Sequence, residues 1–193
     1  MKILLTAFEP FCNLPTNSSL EVLKRINIDN VIKAELPVSY ERVKTKLKEL
    51  VNEHHPDFII NLGQAGGETK LRIEKFALNY TRATIADNDS DLRLKGEVFK
   101  GEELAKTTIL DIEELVRISN LDNHECYISL SAGGYICNTT YYTSLYLNNN
   151  KALFIHLPYF TGQIENKNTL SLDKMVEDTT YFVEKVIEEV SKM

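Results

Sequence analysis

The chain has 193 residues, 43% of them hydrophobic, which suits one compact domain with a substantial core and is too little for two comfortable ones. Its net charge of -6 offers no concentrated basic patch, so neither nucleic acid nor an anionic membrane is an expected partner. The apolar run after Met1 is too short for a signal-peptide core and no later run approaches a membrane span, so the expected location is cytoplasmic, with Cys12, Cys126 and Cys137 kept reduced.

In chain order, residues 2–7 form a short apolar run that ends in a turn, as a central strand would. Ser18 or Ser19 is placed to cap a helix whose Leu20, Leu23 and Ile26 fall at helical spacing. Val31–Leu36 predicts a second strand, stopped by Pro37. Residues 40–53 predict a helix with Val43, Leu47, Leu50 and Val51 on one face and charges on the other. A buried strand over 58–62 runs into Gly63-Gln64-Ala65-Gly66-Gly67. Residues 71–80 alternate apolar and polar, which predicts a strand with one exposed face, and 83–96 are polar enough for a loop or hairpin. The stripe of Leu104, Ile109, Ile112, Leu115 and Val116 predicts a helix over 102–119. A strand over 127–130, the turn Ser131-Ala132-Gly133-Gly134, a helix over 138–146 and the strand Ala152–Leu157 follow. Ser171 or Asp173 caps a last helix that buries Met175, Val176, Val183, Val186, Ile187 and Val190. Apolar strands alternating with helices indicate a parallel sheet covered on both faces, with ligands at the carboxyl ends of its strands.

Cys137 follows a turn of small residues and precedes a predicted helix, where unpaired N–H groups and the helix dipole favour a thiolate and could receive an oxyanion. Cys126, at the start of a strand, reads as packing, and Cys12, on the first loop, as an exposed accessory thiol. His54, His55 and His124 sit in surface contexts, whereas His156 ends an apolar strand where such a sheet presents reactive groups. It is either a core histidine or the base a thiol nucleophile needs. Glu74 interrupts the apolar pattern of its strand, so it is either surface-facing or a buried carboxylate with a partner.

Several stretches together resemble the signature blocks of pyroglutamyl peptidase I. They are Leu5-Thr6-Ala7-Phe8-Glu9-Pro10-Phe11, Gly63 to Gly67, Ile73-Glu74-Lys75-Phe76-Ala77-Leu78-Asn79 and Asp87-Asn88. Ser131 to Asn138 and Phe154-Ile155-His156-Leu157-Pro158-Tyr159 complete the set, in the family's order across essentially the whole chain. The resemblance implies an α/β fold, a single-domain three-layer α/β/α sandwich with a mostly parallel, mixed central sheet over residues 1–193. It also implies a cysteine peptidase that removes N-terminal pyroglutamate from peptides through a thioester, without metal or organic cofactor, and that forms a homo-oligomer, dimer or tetramer. Cys137 would be the nucleophile, His156 the base and then acid, and Glu74 the group orienting His156. Phe8, Phe11, Asn17, Gln64, Tyr135 and Ile136 would line the substrate pocket. Glycines usual in the family are replaced by Ala7, Cys12 and Asn13, and the usual Gly-Thr by Gly133-Gly134. An arginine usual near the reacting carbonyl is replaced by Thr84; Arg82, on the same face if the segment is a strand, is the expected partner of Thr84 in supporting the oxyanion. A divergent thiol amidohydrolase of the same fold, or a binding paralogue without catalysis, is the alternative.

Overall fold

A computed structural model describes residues 1–193. Its elements are β1 (Ile3–Phe8), α1 (Ser18–Arg25), β2 (Val31–Leu36), α2 (Tyr40–His54), β3 (Phe58–Gln64), β4 (Leu71–Glu74), β5 (Phe76–Leu78) and β6 (Ala105–Thr107). After them come α3 (Ile112–Leu121), β7 (Cys126–Ser129), α4 (Ile136–Leu147), β8 (Ala152–Leu157), β9 (Tyr159–Phe160), β10 (Thr169–Leu170) and α5 (Leu172–Val190).

The main sheet has six strands in the order β2-β1-β3-β8-β4-β7. Every neighbouring pair is parallel except β8 with β4, so the sheet is mostly parallel but mixed. β1, β3 and β8 are buried along their whole length, as continuous apolar runs require when both faces are covered. One face carries α1, α3 and α5, packed through Leu23, Leu115, Phe182 and Val186. The other carries α2 and α4, packed through Val43, Leu47, Tyr141 and Leu145. No helix is long and apolar enough to cross a membrane.

Three local expectations change, and one choice between two caps is decided. Asn17, not Ser18 or Ser19, caps α1: its side chain accepts from Ser19 N at 3.0 Å, and both serines lie buried inside the helix. The last helix is capped by Ser171, whose hydroxyl accepts from Lys174 N. The single strand expected over 71–80 breaks at Lys75. There Lys75 N makes a 2.7 Å bond to Ser129 O, and the chain then leaves the main sheet to pair as β5 with β6. The helix expected over 102–119 begins only at Ile112, where Asp111 caps it by accepting from Glu114 N. Residues 105–107 are instead a strand, and Leu104 and Ile109, thought to belong to the buried stripe, are exposed. Helical spacing in the sequence could not register that β5 offers this segment a partner.

Candidate active site

The carboxyl ends of β1, β3 and β8 bring Phe8, Gln64 and His156 to one rim of the sheet. Gly63 and His156 are register partners on β3 and β8. A Cβ added at Gly63 would lie 2.7 Å from the Phe154 ring and 3.2 Å from Cys137 Sγ. Glycine at this position therefore lets the start of α4 settle onto the strand end and sets the thiol against the sheet beside His156.

Cys137 is the second residue of α4, whose N-cap, Tyr135, supplies no side-chain hydrogen bond to the free N–H groups. The next residue, Asn138, anchors this end of the helix. Its side chain donates to the carbonyls of Leu78 and Tyr80, each at 2.8 Å, and accepts from Leu78 N at 2.8 Å. Gly134 allows the approach, since a Cβ there would meet Arg82 O at 2.6 Å.

His156 is almost fully buried, and its Nδ1 lies 2.6 Å from Oε1 of the wholly buried Glu74. The same carboxylate oxygen accepts from Arg72 Nε at 2.7 Å, while Glu74 Oε2 has no partner. The hydroxyl of Ser129, opposite Glu74 on β7, is turned to Ser131 O at 3.3 Å. Burial pushes the Glu74 carboxyl upward, but the hydrogen bond and charge of His156, with the charge of Arg72, bring it below the usual carboxylate value. Burial pulls His156 down, against the opposing pull of Glu74. Burial, reinforced by Glu74, pushes the Cys137 thiol up to about 12. The dipole of α4 favours a thiolate, and desolvation of Cys137 works against it.

Cys137 and His156 open on a cavity of about 310 Å³. Phe8, Phe11, Tyr135 and Ile136 supply apolar wall, and Asn17 and Gln64 also line it. The Asn17 side chain caps α1 through Oδ1 and donates one N–H to Glu9 O at 3.1 Å, which fixes it in the wall. Gln64 Oε1 accepts from Ser18 N at 2.8 Å and from Gln163 Nε2 at 2.6 Å, which leaves its own buried Nε2 without a partner. Arg82 and Thr84 are exposed and do not line this cavity. The cation that does is Arg72, which sequence reasoning passed over; its place in an alternating strand reads as a solvent-facing position. A larger open groove of about 520 Å³ over Glu35, Glu41, Arg42 and Lys46 has one apolar lining residue and no cysteine or histidine.

The remaining candidates lie apart. Cys126 is buried, with its thiol pushed up to about 11 by desolvation, and Cys12 is exposed. His124 stacks on Tyr181 and contacts Asp178 at 2.8 Å, a carboxylate that Lys174 also holds at 2.8 Å.

The family model described as pyroglutamyl peptidase matches residues 1–189. Among curated proteins, a pyrrolidone-carboxylate peptidase of Thermosipho melanesiensis is 34% identical over 98% of this chain and 100% of its own length. One of Clostridium perfringens is 36% identical over 89% of this chain and 85% of its own. The crystal structure of Bacillus amyloliquefaciens pyroglutamyl peptidase I superposes with a TM-score of 0.88 at 29% identity, covering 94% of both chains. The pyrrolidone carboxyl peptidase of Thermococcus litoralis gives 0.91 at 28% identity, covering 99% of this chain and 95% of that one. With a whole-length family match, relatives above 30% identity and the same fold, this chain belongs to the pyroglutamyl peptidase family.

Proposed function

We propose that this chain hydrolyses the N-terminal pyroglutamyl residue from peptides, with Cys137 as nucleophile, His156 as general base and then acid, and Glu74 orienting His156. The observation that carries the reading is the 2.6 Å contact of His156 Nδ1 with buried Glu74, in a cavity His156 shares with Cys137. With Nδ1–H directed at the carboxylate, Nε2 is the free acceptor of a proton. Sγ adds to the pyroglutamyl carbonyl carbon as the thiol proton passes to Nε2. The oxyanion is received by unpaired N–H groups at the start of α4. Collapse breaks the C–N bond, the imidazolium gives its proton to the leaving amine, and a thioester remains. Water, losing a proton to His156, then cleaves the thioester and releases 5-oxoproline. This sequence of steps calls for no metal or organic cofactor.

The cavity's chemistry suits a lactam. A neutral flat ring fits against Phe8, Phe11 and Tyr135, and its carbonyl gives the partnerless Gln64 Nε2 an acceptor. A prolyl ring lacks that carbonyl and would leave the donor buried and unpaired, a discrimination on the order of 10⁴. Release of fluorophore from a pyroglutamyl-coumarin substrate tests the reading. Wild type, Cys12→Ala and Cys126→Ala should be active and Cys137→Ala silent, with the prolyl analogue uncleaved. A silent wild type across about pH 6 to 9 under reducing conditions would sink it.

A second reading, a thiol amidohydrolase with another acyl group, is favoured by the exposure of Arg82 and Thr84 outside the cavity. Alkylation of Cys137 by iodoacetamide in a protein that releases no pyroglutamate would select it. We further infer one catalytic domain over residues 1–193, a cytoplasmic location where Cys137 stays reduced, and a homo-oligomer, dimer or tetramer. The exposed Leu92, Leu94 and Leu104 support self-association, which sedimentation velocity checks.

A further inference from the structure

We propose that Arg72 is a positioning residue that shares the Glu74 carboxylate with His156 and, held back by Glu68, sets the pH window in which Cys137 and His156 act. The inference rests on the reading of Cys137 and His156 as the working pair.

Arg72 and His156 face each other across the antiparallel β4–β8 pair, so their side chains leave the sheet on the same side. Three arms of the guanidinium are engaged. Nε donates to Glu74 Oε1 at 2.7 Å, Nη1 to Glu68 Oε1 at 2.9 Å, and Nη2 lies 3.1 Å from His156 Nδ1. Glu68 is itself fixed by the Tyr127 hydroxyl, which donates to Oε2 at 2.7 Å. A continuous polar chain thus runs from Tyr127 on β7 through Glu68, Arg72 and Glu74 to His156.

Two contacts at Nδ1 demand opposite tautomers. Donation to Glu74 places the proton on Nδ1 and leaves Nε2 able to accept from the thiol. Acceptance from Arg72 places it on Nε2 and disables the base. The separations, 2.6 Å to Glu74 against 3.1 Å to Arg72, favour the competent form. Glu68 holds the guanidinium from the far side, so its loss would free Arg72 to close on Nδ1.

The charges act in the same direction. The groups facing His156 are Glu74 and Arg72 from β4, Glu68 from the β3–β4 connection, Cys137 from α4 and, through Glu68, Tyr127 from β7; β3 presents the uncharged Gly63. A cation beside the pair disfavours the imidazolium and favours the thiolate, so Arg72 draws both groups downward, while Glu68 opposes it at His156. The two limbs of a bell-shaped profile therefore move together, whichever protonation state of the pair reacts.

The test is the pH profile of kcat/KM for Arg72→Gln, Arg72→Lys and Glu68→Gln. Arg72→Gln should move both limbs to higher pH by about half to one unit, and Arg72→Lys should recover most of that shift. Glu68→Gln should move the acid limb, set by His156, to lower pH and reduce kcat several-fold at its own optimum, by about the share of the wrong tautomer. Shifts of Arg72→Gln and Glu68→Gln in the same direction, or profiles that overlay wild type, would overturn the proposal. Should Arg72→Gln fail to fold, the test rests on Glu68→Gln moving to lower pH while Arg72→Lys stays near wild type. Should wild type release no pyroglutamate, the pH dependence of Cys137 alkylation by iodoacetamide reads the same shifts without turnover, so the two failures are distinguishable.

Discussion

Glu74 Oε1 receives two donors, His156 and Arg72, while Oε2 is buried and empty-handed. An ionised carboxylate so placed is tolerable only because both donors are present, and its charge is what keeps the His156 proton on Nδ1. Glu74→Gln keeps the shape and removes that charge. Its expected effect is a fall in kcat on the order of 10³ with a smaller change in KM, measured as coumarin release at saturating substrate. Because Glu74 holds His156 up against burial, the acid limb should also move to lower pH in this variant. The oddity of Glu74 was legible as a carboxylate interrupting an apolar strand. The part played by Gly63 was not, since only the packed distances to Phe154 and Cys137 reveal that any side chain would displace the thiol.

At the scale of elements, caps and short strands decide where helices begin. Ser171 accepts from Lys174 N at 3.2 Å and starts α5, whose Met175, Phe182, Val183 and Val186 pack on the sheet face opposite α4. Ser171→Ala should cost about 1 kcal/mol. For a chain of this size that lowers the melting temperature by roughly 2–4 °C, with kcat/KM unchanged because Cys137 lies across the sheet. Calorimetry and the coumarin assay on one preparation check both halves. The motif Asp87-Asn88 also finds a local explanation. Asp87 accepts from Tyr40 N at 2.9 Å, and Asn88 donates to Glu9 Oε1 at 2.9 Å and Pro10 O at 3.0 Å. It ties a long loop to the segment carrying Phe11, and so acts on the cavity without lining it. β6 was misread as helix because its apolar spacing is shared by both structures, and pairing with β5 is a contact between distant stretches of chain.

The whole molecule carries the cost of burying this site as a dependence on pH. Burial holds His156 below the ordinary imidazole value, so below about pH 6.5 the unfolded chain takes up a proton that the native one refuses. Stability therefore falls as pH drops from that point to the depressed native value. Glu74 adds a second step: its contribution is full above the unfolded carboxylate value of about 4.3 and is lost as pH falls through its lower native one. Urea midpoints should be level above pH 7 and decline below 6.5, with a slope of up to about 1.4 kcal/mol per unit from this one group. His156→Gln should flatten the first step and also weaken the second, since His156 is the main group that holds the Glu74 carboxyl down. A midpoint in wild type that stays level down to pH 5 would contradict the account.

The sequence by itself determined the class of fold, the strands that form its centre and the residue types available for chemistry, because unbroken apolar runs and helical stripes are local patterns. The order and direction of strands were decided by tertiary structure: β4 inserts antiparallel beside β8, which sets Arg72 and Glu74 against His156. Tertiary structure also decided that Arg72 is the cation in the cavity and that Arg82 lies outside it. The physical reason is that register between strands far apart in sequence depends on the burial of whole faces, and electrostatic balance on distances that no local pattern carries.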